Sequence, residues 1–451
     1  MEKFQLTKEF EEELLAQIVA ERVDELEPVL ERIHAADIAE IFDILTLEQA
    51  IYITSLISNE KKVDVLAELE PDVRLRFFKG YSNEQIAHQF IQYMDSDDAA
   101  DVLSEVDTDH CAEILTLLPD NAQSLLISTL LRYPVDSAGG LMAGELVKVN
   151  INWDVARCTE EIREQAEEVS KVYTVYVVDE NNILLGWVSL KKIILAKATT
   201  PISEIFDSNV IYGNVHDDAE DIANTMNKYD LVAMPIADSL KRLVGRVTID
   251  DVVDFIKEEA DKDYQMLSGI SSNVAITDKI WILSRARLPW LVIGLMGGVF
   301  SSMLIGSFEG EIARNVSLAF FMPLVMAMGG NAGVQSSSIV VQGLANNTLG
   351  STPILHRLAK EFLVALINSL VCSALVLVYG LVSGIGTEIT VVVSISLLSA
   401  IIFASLMGSF IPLILDRFKI DPALATGPFI TTSNDLIGLF LYFLIGNLIL
   451  S

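Results

Sequence analysis

The sequence predicts a multidomain protein: an α-helical superhelical N-terminal domain, a duplicated α+β segment, a long connecting helix and an all-α membrane domain with five transmembrane helices. Three observations carry this prediction. The 451 residues hold 62 Asp and Glu against 31 Lys and Arg, a formal charge of −31, yet 51% of them are hydrophobic. From Trp281 onward seven basic residues balance seven acidic ones, so the whole excess falls in residues 1–280. Five long apolar stretches follow in succession after that point. An acidic soluble part is therefore joined to a neutral apolar one, in a chain too long for a single core. The acid excess repels phosphates and leaves no basic patch, which excludes a nucleic-acid partner and favours cations.

Residues 1–135 read as short helices of period 3.6, as in Leu14, Leu15, Ile18 and Val19, then Ile38, Ile41, Phe42 and Leu45. A loose motif recurs at Asp37, Asp64, Asp101 and Cys111, each followed by apolar residues and a Glu. Repeated short helices of this kind stack into a superhelix. The N-terminal run Lys8-Glu9-Phe10-Glu11 is too charged for a secretory signal, so this part is expected to face the cytosol. Cys111, Cys158 and Cys372 are odd in number and widely spaced, which offers neither a disulfide framework nor a metal motif.

Strands and helices alternate from Gly139 to about Asp254. Val172–Asp179 and Leu184–Leu190 read as strand, turn, strand and then helix, and the order returns at Leu231–Asp238 and Leu243–Asp251. The copies lie roughly 60 residues apart. Each resembles a cystathionine-β-synthase (CBS) domain, which sets boundaries of 136–200 for the first and 201–251 for the second. Gly245-Arg-Val-Thr-Ile-Asp250 looks like the end of the second copy. That resemblance implies an adenine nucleotide such as ATP held by Thr248 and Asp250, while Gly186-Trp-Val-Ser-Leu-Lys191 in the first copy lacks the Asp.

A connecting helix over Val252–Leu267, capped by Gly269, and a linker occupy residues 252–284. Asp254, Glu258, Glu259, Asp261 and Asp263 make the helix strongly acidic. Asp95, Asp97, Asp98 and Asp101 form a second acidic run, and Asp217, Asp218, Glu220 and Asp221 a third. Faces of one sign pack only with something between them, and hard divalent cations with oxygen ligands are the natural bridge.

The membrane domain, residues 285–451, has apolar stretches at Leu288–Phe308, Val316–Leu344, Leu358–Ile385, Ile389–Leu415 and Leu424–Leu450. Each reaches the roughly 20 residues that cross a bilayer. Arg357, Lys360, Arg417 and Lys419 follow the second and fourth stretches, whereas Glu309, Glu311 and Glu388 dominate after the first and third. The basic loops lie inside by the positive-inside rule, which puts residues 1–280 in the cytoplasm and the C-terminus outside a plasma membrane. Gly329-Gly330-Asn331-Ala332-Gly333 in the second stretch brings amides and small residues to membrane depth. In the fifth, Asp421-Pro422 opens the segment, Gly427-Pro428 is expected to kink it, and Asp435 lies well inside with no basic residue a turn away. An isolated carboxylate at that depth costs roughly 2.5–3.5 kcal/mol on insertion scales, which points to a water-filled path or ion site.

In its order of parts the chain resembles the MgtE magnesium channels and transporters over essentially its whole length. The membrane residues that carry the resemblance are Pro323 with Gly330-Asn331-Ala332-Gly333-Val334-Gln335, and Asp421-Pro422 with Thr431-Thr432 and Asp435. It implies a homodimer in a lipid membrane with a Mg²⁺-selective pore on the two-fold axis. Asp435, Asp421 and Asn331 would line that pore. It also implies closure by cytosolic Mg²⁺ on the N domain, the CBS pair and the connecting helix, at Asp95, Asp98, Asp217, Asp250, Asp254, Glu258 and Glu259. Uptake of Co²⁺, Ni²⁺ or Mn²⁺ is an alternative, and a CBS-gated anion channel a more remote one because the membrane carboxylates have the wrong sign. The sequence holds no P-loop, no HExxH motif and only scattered histidines, which argues against an enzyme.

Overall fold

Short helices dominate the start of the chain because polar caps interrupt them repeatedly. Thr46 with Gln49 and Ser82 with Gln85 form capping boxes at the starts of Leu47–Leu56 and Asn83–Gln89, Ser58 caps Asn59–Ala67, and Pro71 opens Pro71–Phe78. The computed structural model describes residues 8–20, 22–42, 44–167, 169, 171–271, 274, 279–345, 353–425 and 427–450. The first seven residues, which precede the charged run Lys8-Glu9-Phe10-Glu11, lie outside this set. The chain divides into two units, Met1–Ile256 and Lys257–Ser451.

In the first unit the apolar stripes of these helices meet around Phe77, whose ring lies 5.6 Å from Phe42, 5.9 Å from Phe90 and 5.0 Å from Tyr81. Arg74 is buried at 7% exposure beneath them. Its Nη2 donates to the Leu69 and Ala67 carbonyls at 2.5 and 3.3 Å, and Nη1 pairs with Glu105 at 3.4 Å. The duplication is visible in the sheets. β1 (Val147–Asn150) pairs parallel with β2 (Val175–Val178), which pairs antiparallel with β3 (Leu184–Val188). β4 (Gly213–Asn214), β5 (Ala233–Ala237) and β6 (Leu243–Thr248) repeat the order and directions. The copies join reciprocally: Leu184 N donates to the Lys241 carbonyl at 3.0 Å and Leu243 N to the Asn182 carbonyl at 2.9 Å. The second copy shares one core with the helical domain, with Ile127, Leu130 and Met142 in the same cluster as Ile222, Ile236 and Val247. The first copy keeps its own core around Val149, Val175 and Val188.

The second unit contains five helices long and apolar enough to cross a membrane: Ile280–Ser307, Ser317–Ala345, Ile354–Val382, Thr387–Arg417 and Pro428–Leu450. The fourth is the most enclosed, so the others gather around it, while the first and third expose most of their surface. Small residues let the second, fourth and fifth approach closely. A Cβ on Gly408 would stand 2.3 Å from the Gly333 carbonyl, so only glycine fits there. Tyr442 of the fifth helix donates its hydroxyl to the Leu318 carbonyl of the second at 2.9 Å.

Several boundaries differ from the sequence reading. The first span begins at Ile280, which puts Arg285 and Arg287 inside the helix. The third begins at Ile354, so Arg357, Lys360 and Glu361 are helical. The fifth begins at Pro428, a first-turn position where proline fits without a kink, and Pro422 belongs to a separate 3₁₀ turn, Pro422–Ala425. The connecting helix starts earlier than expected, at Ile249, and ends at Leu267 before Gly269 in the left-handed region at φ +79°.

Candidate functional site

Because the fifth span starts at Pro428, Asp435 lies about two turns inside it. Its neighbour Asn434 is buried at 3% exposure against the second span, where a Cβ on Gly333 would stand 2.0 Å from Asn434 Nδ2. Asp435 is half-buried, and its Oδ1 lies 3.6 Å from where a Cβ on Gly330 would be. The glycines of the second span thus admit both side chains, and Asp435 has no ion pair among the described residues. Asn331 and Gln335 lie one turn apart on the second span and are exposed on the single chain, a costly arrangement in lipid without water or a partner. Ser336, on the adjoining face, donates to Glu361 of the third span at 2.6 Å. Glu361 is a further helical carboxylate in the membrane part, and its partner 25 residues away is not visible in local sequence.

At the start of the fifth span Asp421 is exposed, with Oδ1 accepting from Ala423 N at 2.8 Å. The end of the connecting helix lies beside it. A Cβ on Gly427 would stand 3.1 Å from the Leu267 carbonyl, and one on Gly269 would stand 2.9 Å from Pro428 Cγ. Burial, then the charges of Asp421 and Glu259, raise the Asp263 carboxyl above its ordinary range. Lys262, hydrogen-bonded to Glu259 at 2.8 Å, is the cation among these carboxylates.

The first unit holds a second acidic cluster. Burial, and then Asp251, Asp98 and Glu145, push Asp97 well above the usual carboxylate range. Burial, followed by Asp95, Asp251 and Asp101, pushes Asp98 up to about 7 although part of its surface stays exposed. Asp251 is raised too, mainly by burial, even though it accepts from Thr248 N at 3.1 Å and Thr248 Oγ1 at 2.5 Å. Glu145 accepts from the N and Oγ of Ser96 at 3.2 and 2.7 Å, which fastens the acidic helix Ser96–Ser104 to the segment entering the first sheet. Carboxylates held against their own repulsion are the arrangement a hard cation relieves.

The sequence-selected residues divide accordingly. Asp95 and Asp98 are in this cluster, whereas Asp251 occupies the place expected for Asp250. Asp250 instead pairs with Lys171 at 3.4 Å; burial alone would raise it, but bonds from Thr248 and its backbone together with Lys171 leave it lowered. Asp217 is exposed and caps its own turn by accepting from Asn214 N at 2.8 Å. Asp254 and Glu258 are exposed one turn apart on the connecting helix, and Glu259 is paired with Lys262. Thr248 is buried with its hydroxyl committed to Asp251. Among the described residues no three His, Cys, Asp or Glu side chains converge tightly enough to hold a metal ion. Asp97 and Asp263 belong to acidic runs read from the sequence but were not singled out as ligands there, and neither were Glu145 and Asp251. Asp97 and Asp251 each adjoin a selected Asp, and only the tertiary contacts distinguish them.

Comparison with known proteins adds independent information. Residues 322–445 match the family model described as MgtE, divalent cation transporter, residues 33–136 the MgtE intracellular N domain, and residues 138–199 and 202–258 the CBS domain. The magnesium transporter MgtE of Thermus thermophilus is 32% identical, covering 97% of this chain and 99% of that protein. The magnesium transporter MgtE of Bacillus subtilis is 29% identical, covering 94% of this chain and 93% of that protein. A crystal structure of the soluble part of a magnesium transporter shares 29% identity over 56% of this chain and 99% of that one, with a TM-score of 0.51.

Proposed function

Since the chain belongs to the MgtE family of divalent cation transporters, we propose that it moves Mg²⁺ into the cytosol along a path built on Asp435 and governed by Mg²⁺ on its cytosolic carboxylates. The observation that carries this reading is the half-buried Asp435 against Gly330 of the second span, with no ion pair among the described residues. Mg²⁺ gives up water reluctantly, so a wide path with few charged ligands suits it better than a closed cage. In a homodimer two Asp435 carboxylates would face one axis and favour a divalent over a monovalent cation. The exposed Asn331 and Gln335 support such an axis, because a partner and a wet path give their amides the hydrogen bonds that lipid lacks. Asp421 would concentrate cations at the cytosolic mouth.

Regulation follows from charge. At low Mg²⁺ the carboxylates of Asp95, Asp97, Asp98 and Asp251 repel one another, and a bound Mg²⁺ removes that repulsion. Asp251 sits at the start of the helix Ile249–Leu267, and Leu267 at its far end packs against Gly427. Asp217, Asp250, Asp254, Glu258 and Glu259 extend the acidic surface on which further Mg²⁺ would bind. An adenine nucleotide such as ATP at the CBS pair would use Thr248 and Asp250. In this reading residues 1–280 are cytosolic and the C-terminus lies outside. Reversal potential in planar bilayers provides the test. Currents that follow a Mg²⁺ gradient and ignore a chloride gradient support the proposal, and currents that follow chloride overturn it.

A further inference from the structure

A groove of about 610 Å³ lies at the beginning of the first span, beside the end of the connecting helix. One wall is a single helical stripe of Arg287, Leu291, Gly294 and Leu295, with Trp290 beside it. The other wall is the backbone of Ser268–Ile270 and the ring of Pro428. That wall is fixed in place: Ser271 donates through both N and Oγ to the Ala286 carbonyl, at 3.0 and 2.8 Å, and Gly269 packs against Pro428. The lining holds one cation and no carboxylate. Arg287 is exposed and has no ion pair among the described residues.

We propose that this groove binds an anionic phospholipid of the cytosolic leaflet, with the phosphate on Arg287 and an acyl chain along Leu291 and Leu295. Position, charge and shape agree on this occupant. The first span follows the cytosolic part of the chain, so its first turns lie at the inner headgroup level, where Trp and Arg are favoured. A guanidinium presents a planar fork matched to phosphate, and basic pockets at this level of membrane proteins recognise acidic headgroups. Leu291 and Leu295 are 66% and 68% exposed one turn deeper, in line with Arg287, as an acyl chain requires. Gly294 leaves the channel open between them, because a Cβ there would meet nothing within 4 Å.

The full-length protein, purified in detergent and titrated with phosphatidylglycerol or phosphatidylcholine of identical chains, is read by native mass spectrometry. One basic residue in the site predicts about a 5-fold preference for phosphatidylglycerol. Arg287→Gln should bring that preference close to one. Gly294→Leu, which fills the groove without a clash, should reduce retention of both lipids and leave the thermal midpoint unchanged. Equal retention of the two lipids by the unsubstituted protein overturns the proposal, as does an unchanged preference in Arg287→Gln. Disulfide cross-linking of Gly294→Cys to a second copy in native membranes also overturns it, by showing a protein occupant.

Discussion

Replacing Asp98 by Asn should remove much of the pH dependence of Mg²⁺ binding to the cytosolic part. Burial and the charges of Asp95, Asp251 and Asp101 push Asp98 up to about 7, and burial with the charges of Asp251, Asp98 and Glu145 holds Asp97 well above the usual carboxylate range. A carboxyl raised in the folded state stabilises that state most in acid, below the ordinary carboxylate range. This stabilisation is lost as pH rises through about 7, when the cluster ionises and its repulsion appears. A cation competes with the same proton, so binding releases it. With a pKa of about 7, Asp98 is about nine-tenths protonated at pH 6 and about one-tenth at pH 8. Apparent Mg²⁺ affinity should therefore tighten about 10-fold between those values, about 1.4 kcal/mol. The assay is Mg²⁺-dependent protection of residues 1–270 of the full-length protein from protease at pH 6, 7 and 8. In Asp98→Asn the residual pH dependence should be smaller and the binding weaker at pH 8. A flat midpoint across this range in the unsubstituted protein would show that Asp98 does not compete for the cation through its proton.

Other perturbations test the packing. Gly408→Ala places a methyl group against the Gly333 carbonyl and should destabilise the membrane unit by about 1–3 kcal/mol, seen as a lower thermal midpoint in detergent. Ser336→Ala leaves Glu361 without its 2.6 Å bond and should cost about 1–3 kcal/mol in the same measurement. Arg74→Ala strands Glu105 and the Leu69 carbonyl in the helical domain, with an expected loss of about 3–5 kcal/mol on denaturant unfolding. Asp250→Ala removes an exposed pair with Lys171, whose loss should change stability by less than about 1 kcal/mol.

The sequence made the architecture legible where a physical period or a large composition change marks it. Five apolar runs, the duplicated strand order and the acid excess before Trp281 are all of this kind. Span ends were less legible, because Arg357 and Lys360 read as loop charges although they are helical. Long charged side chains at a helix end can reach the interface, and Glu361 has Ser336 for a partner. Residues 147–150 offered too short a pattern for a strand until Val175–Val178 paired with them. Asp435 stood out because a lone carboxylate in an apolar run is costly wherever it packs. Asp251 did not, because it differs from Asp250 only in facing Asp97 and Asp98 across a core that joins elements far apart in sequence.

On the proposed path Mg²⁺ passes Asp435. Proteoliposomes loaded with a Mg²⁺ indicator and containing the full-length protein report this directly, with Asp435→Asn as the comparison because it keeps the side chain's size and removes its charge. Influx down a Mg²⁺ gradient should be abolished in Asp435→Asn, in protein that retains the thermal midpoint of the original. Influx at the original rate would contradict the account.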